Sequence, residues 1–71
     1  MVDIKEQPEI LTNREFEVLK LLAKGFSTNE ISIILNIAPT TIITYRNRLR
    51  KKFDARNSAE LIYKVTKLNI L

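Results

Sequence analysis

The chain has 71 residues, none of them cysteine, histidine or tryptophan, and twelve basic against eight acidic side chains give a net charge of +4. This length supports one small domain, which buries only about 60% of the surface its unfolded chain exposes, and the missing Cys and His remove disulfides, thiolate sites, the commonest metal ligand and the usual neutral-pH base. Apart from Glu15 and Glu17 the carboxylates are scattered singly, so we expect no enzyme, no metal and no cofactor.

Residues 1–10 are polar and aperiodic and contain Pro8; they read as a flexible tail or linker, leaving 11–71 as the domain. The first helix, about 12–24, opens at Thr12-Asn13-Arg14-Glu15, a capping box in which the Thr hydroxyl accepts the Glu amide and Glu reaches back. Phe16, Val18, Leu19, Leu22 and Ala23 supply its apolar positions. The lone glycine, Gly25, stands where a helix wants a left-handed residue just past its end. A second box, Ser27-Thr28-Asn29-Glu30, opens a helix over about 28–36 with Ile31 and Leu35 inward. Ile34 is expected to extend the core and Ile33 to be exposed. Pro39 suits the first position of a third helix, about 39–53; Ala38 is a poor cap, and Thr40 or Thr41 is expected to assist it. The apolar stripe there is Ile42, Tyr45, Leu49 and Phe53. A third box, Asn57-Ser58-Ala59-Glu60, opens the last helix, about 57–68, with Leu61, Val65 and Leu68 inward. The fold class is all-α, four helices.

Charge is unevenly spread. Residues 1–30 hold four bases and six acids, a net −2; residues 31–71 hold eight bases and two acids, a net +6. Six of those bases lie between Arg46 and Arg56, a density that suits a polyanion partner. Helices two and three are joined by a very short link, and the second of the pair is basic: a helix-turn-helix arrangement. An α-helix fits the major groove of DNA, where phosphate contacts set register and base contacts set sequence. Ile43, Thr44 and Asn47 are the candidate base-contacting residues: Ile43 for a thymine methyl, Asn47 for adenine. Arg46, Arg48, Arg50 and Lys51, with Thr41, are the candidate phosphate contacts.

The residues also match a pattern in order: Leu11-Thr12, Arg14-Glu15, Val18-Leu19, Ala23, Gly25, Ser27, Glu30-Ile31, Leu35, Ile37, Thr41-Ile42, Lys52-Phe53 and Glu60-Leu61. This string resembles the LuxR-type helix-turn-helix domain, the output domain of bacterial NarL/FixJ response regulators and of small spore-type regulators. The resemblance covers roughly residues 11–68. It implies a transcription regulator whose third helix enters the major groove, with Ile43, Thr44 and Asn47 at the base-reaching positions, and whose fourth helix serves dimerisation. Ile62, Tyr63, Thr66 and Ile70 would form that weak homodimer, strengthened on DNA; RNA polymerase is a further candidate partner. The chain departs from the pattern at Ala38, usually Ser or Thr; at Tyr45, commonly His; and at Asp54, often Gly.

No apolar run reaches the 18 or so residues of a membrane span and no secretory pattern opens the chain, so the expected address is cytoplasmic, with no membrane and no small-molecule substrate as partner. One alternative from another class stays open: a protein-interaction module docking through helix 57–68 or the Ile33 side, without DNA.

Overall fold

A computed structural model describes residues 11–71; the tail expected over 1–10 lies outside the described residues. Four helices follow in order: α1 (Asn13–Ala23), α2 (Thr28–Leu35), α3 (Pro39–Lys52) and α4 (Ser58–Lys67). Each starts and stops within one residue of its expected bounds. None is long and apolar enough to cross a membrane.

Two of the three capping boxes form as the sequence requires. The Thr12 hydroxyl accepts the Glu15 amide at 3.1 Å while Glu15 accepts the Thr12 amide at 3.0 Å. At α2 the Ser27 and Glu30 pair does the same, at 3.1 and 2.8 Å. The third box is half formed. Asn57 accepts the Glu60 amide at 2.8 Å, but the Glu60 carboxylate reaches one residue further back, to the Arg56 amide at 2.7 Å and the Arg56 Nε at 3.2 Å. The guanidinium beside that amide supplies a charged second donor, which Asn57 cannot match. Ala38 has no side-chain cap, and neither Thr40 nor Thr41 supplies one; Pro39 at the helix start removes one amide that would need it.

All four helices end in a Schellman motif, and glycine makes only one of them. The left-handed residues are Gly25 (φ 96°), Asn36 (φ 57°), Asp54 (φ 54°) and Asn69 (φ 59°). At each end the next amide donates to the carbonyl five residues back: Phe26 to Leu21 O, Ile37 to Ser32 O, Ala55 to Arg50 O and Ile70 to Val65 O, at 2.8–3.1 Å. Asn and Asp are the side chains that tolerate this region best after Gly. Asp54 still has a Cβ in a left-handed conformation and a negative charge at the negative end of α3. Asp54→Gly relieves both, against glycine's larger unfolded-state entropy, for a net gain of about 1 kcal/mol. A urea titration would show it as a higher midpoint at unchanged slope; a lower midpoint would mean that the Asp side chain stabilises the turn.

The core is Val18 and Leu19 of α1, Ile31 of α2, Ile42 and Leu49 of α3, Ala55 in the loop, and Leu61 and Val65 of α4. Every large member is fully buried, worth roughly 1.5–3 kcal/mol apiece against exposure. α3 packs against each of the other three helices. Two apolar expectations are corrected here. Ile34, expected to extend the core, is 49% exposed, and so, as expected, is Ile33 at 78%; eight residues of α2 present one narrow inward face, which Ile31 and half-buried Leu35 already fill. Leu68, expected inward, is 62% exposed, because α4 ends at Lys67 and the left-handed Asn69 turns the chain back. Ile70 then packs against the core in its place, the apolar contact that commonly accompanies a Schellman turn.

One buried carboxylate ties α1 to α3. Glu15 is 3% exposed, and its Oε1 accepts Lys52 Nζ at 2.7 Å together with the Thr12 amide. Burial alone would raise its pKa. The Lys52 hydrogen bond, the Thr12 amide and the charges of Lys52 and Arg48 outweigh that, and the carboxyl lies below the ordinary glutamate value.

Candidate nucleic-acid interface

α2 and α3 are joined by Asn36, Ile37 and Ala38, with the left-handed Asn36 making the corner. Ile42 and Leu49 anchor the inner side of α3 in the core, and the outer side faces solvent. At 100° per residue, Thr40, Asn47, Lys51, Thr44 and Ile43 fall within about 80° of the direction opposite Ile42. All five are exposed, Ile43 to 46%. The three expected base-contacting residues, Ile43, Thr44 and Asn47, therefore share one outward stripe. Thr40, expected only to assist the cap at Ala38, lies on the same stripe one turn before Thr44; its spacing of seven from Asn47 is the sequence signal for that place. The Thr44 hydroxyl donates to Thr40 O at 3.1 Å, and the oxygen keeps its lone pairs as acceptors.

The cations divide into two flanks. Arg48 and exposed Thr41 lie on one side, where the Arg48 guanidinium sits 5.9 Å from the centroid of the half-buried Tyr45 ring. Arg46 and Arg50 lie on the other and are half-buried. Both were expected to be free phosphate ligands, and both are engaged within the protein. Arg46 donates from Nη1 to Thr28 Oγ1 at 2.6 Å and from Nη2 to Ser58 Oγ at 2.8 Å, which pins α3 to the first residues of α2 and α4. Arg50 donates from Nη1 to Asn47 Oδ1 at 3.2 Å and from Nη2 to Arg56 O at 2.9 Å. In each the Nε is buried without a partner. The spacing explains the difference. Arg46 stands four residues after Ile42 and three before Leu49, so it shares their side of the helix rather than the outer one.

The ion pairs among the described residues are Arg14–Glu17, Lys52–Glu15 and Arg56–Glu60. Arg46, Arg48, Arg50 and Lys51 have no carboxylate partner among them. Their field stands open beside the outward stripe, where Asn47, Arg50, Lys51, Asp54 and Ala55 line a polar concavity. No group of acidic side chains among the described residues could hold a metal ion. On α4, Tyr63 is 62% exposed and Thr66 is exposed, whereas Ile62 and, beyond the helix end, Ile70, both expected to serve dimerisation with them, are half-buried against the core.

Comparison with known proteins gives the family. Residues 9–65 match the family of bacterial regulatory proteins of the luxR family. The chain is 37% identical over 60 residues to the uncharacterised response regulatory protein YgeK of Escherichia coli, an alignment that covers 84% of this chain and 41% of YgeK. It is 41% identical over 54 residues to the HTH-type quorum-sensing regulator RhlR of Pseudomonas aeruginosa, covering 76% of the chain and 22% of RhlR. With the tetrathionate response regulatory protein TtrR of Salmonella typhimurium it shares 41% over 58 residues, 82% of the chain and 28% of TtrR. The chain thus spans less than half the length of these relatives. With its four-helix fold, its helix-turn-helix and a match over most of its length, the chain belongs to the luxR family of bacterial regulatory proteins.

Proposed function

We propose that this domain, by its family a sequence-specific DNA-binding transcription regulator, acts by seating α3 in the major groove. Ile43, Thr44, Asn47 and Thr40 face base edges, and Arg48, Lys51 and Thr41 face phosphates. Arg46 and Arg50 add positive charge from the flank. The observation that carries this reading is the outward stripe of small, amide and apolar side chains beside cations that form no ion pair among the described residues. Phosphates would complete that charge balance. An interaction module docking through α4 or the Ile33 side would use exposed Ile33, Ile34 and Tyr63, but it leaves the open cations of α3 without a role. Dimerisation through α4 would rest on Tyr63 and Thr66 with the outer edges of Ile62 and Ile70. That surface is small, so the dimer forms on DNA, over half-sites about one helical turn, ~34 Å, apart.

Selection of bound sequences from random duplex DNA, followed by salt titration of the best duplex, tests the proposal. The logarithm of affinity is expected to fall linearly with the logarithm of salt concentration. Lys51→Ala should lower that slope by about 0.9, one phosphate contact, and weaken every duplex to a similar degree. Affinity for duplex that ignores ionic strength would sink the DNA reading.

A further inference from the structure

Asn47 does not stand alone on the outward stripe. Its Oδ1 accepts Arg50 Nη1 at 3.2 Å, and the other arm of the same guanidinium donates to the Arg56 carbonyl at 2.9 Å. The loop that carries Arg56 is itself held. The Ala55 amide donates to Arg50 O at 2.8 Å, closing the end of α3, and Glu60 at the start of α4 accepts both the Arg56 amide and its Nε. A chain of contacts therefore runs from Glu60 through Arg56 and Arg50 to Asn47.

We propose that Arg50 is a positioning residue for base reading: its two-armed bridge between Arg56 O and Asn47 Oδ1 fixes the sense of the Asn47 amide, and it is not a phosphate ligand. The inference rests on the DNA reading above. A guanidinium only donates, so it can bond the oxygen of the amide and never the nitrogen. That directs Oδ1 toward the end of α3 and leaves both hydrogens of Nδ2 free. The oxygen keeps a second lone pair, so the amide can still accept from the amino group of adenine while Nδ2 donates to its ring nitrogen. An exposed asparagine without this brace would have to be ordered at the moment of binding, and ordering lowers affinity for the base it reads. Specificity at that base pair is thus set partly by a residue that does not touch it.

Two substitutions separate this role from phosphate binding. Arg50→Lys keeps the charge but has no fork to span two acceptors; Arg50→Met removes charge and donors together while keeping an unbranched stem. The preferred duplex and single-pair variants of it are titrated with the unmodified chain, with both variants, and with Asn47→Ala, which identifies the pair that Asn47 reads. Arg50→Lys is expected to lower discrimination at that pair about 3- to 10-fold, with the salt slope kept. In the Asn47→Ala background the same change should have no further effect on discrimination, because the two residues act as one unit. Lys51→Ala serves as the contrast, since it lowers the slope and keeps discrimination. The proposal is overturned if Arg50→Lys discriminates as well as the unmodified chain while Arg50→Met weakens all duplexes alike and lowers the slope by about 0.9. An unmodified chain that prefers no duplex overturns the DNA reading and this inference with it.

Discussion

Asn47→Ala is expected to weaken binding to the preferred duplex by about 1–3 kcal/mol and to leave affinity for unrelated duplexes nearly unchanged. The reason lies in what the amide can and cannot do. Asn47 is neutral, so it contributes nothing to counterion release, which dominates non-specific binding. It is exposed on the outward stripe, and its oxygen is already directed by Arg50, so the geometry of a bidentate contact is largely prepared before DNA arrives. Under the proposed function its removal is expected to delete discrimination at one base pair, and it also takes one acceptor from Arg50. Comparing the ratio of specific to non-specific affinity at a fixed salt concentration checks this. A uniform loss across all duplexes, or a flatter salt dependence, would mean that Asn47 serves the backbone and not the bases.

The helices themselves were legible because their signals are local. Thr12 with Glu15 and Ser27 with Glu30 place two helix starts by chemistry contained in four residues, and the structure forms both boxes. The outward stripe was legible for a similar reason, since Ile43, Thr44 and Asn47 follow from the period of a helix whose other side is apolar. What escaped depends on competition or on a change of chain direction. Glu60 had two amides within reach, and the Arg56 guanidinium decided between them. Leu68 fits the inward period of Leu61 and Val65 only if the helix continues, and the left-handed Asn69 hands that place to Ile70. The internal hydrogen bonds of Arg46, and that of Arg50 to Arg56 O, also join residues that no local pattern links. A basic side chain four residues from a core isoleucine can run along the flank of its helix and spend its donors on Thr28 and Ser58, which are distant in sequence and carry no periodic signal.

Removing the buried carboxylate should cost more stability than any surface change on the outward stripe of α3. Glu15→Ala is expected to destabilise the domain by about 2–3 kcal/mol: the two hydrogen bonds that the carboxylate accepts, from Lys52 and from the Thr12 amide, are lost, and only the Thr12 hydroxyl half of the capping box remains. Breaking a fully buried ion pair costs about 3–5 kcal/mol; here the figure is lower because Lys52, 31% exposed at its side chain, can turn its ammonium to water. For a domain whose total stability is roughly 0.05–0.15 kcal/mol per residue, that is a large fraction. Glu15→Gln isolates the charge, since the amide oxygen can still accept from Lys52 and Thr12, and about 1 kcal/mol is its expected cost. The pH dependence follows with a definite sign. The folded-state pKa of Glu15 lies below the ordinary value, so on acidification the unfolded chain takes up the proton first and the folded state loses ground. The contribution is whole above the ordinary glutamate pKa and disappears as pH falls through the depressed one. Glu60 is also shifted down, chiefly by the Arg56 amide and then by the Arg56 side chain, so acid weakens both proteins. The difference between the unmodified chain and Glu15→Gln removes that shared part. Denaturant midpoints measured between about pH 7 and pH 3 should converge as the solution becomes acidic. Parallel curves would show that the Glu15 charge adds nothing, and that packing and the neutral hydrogen bonds alone hold α1 against α3.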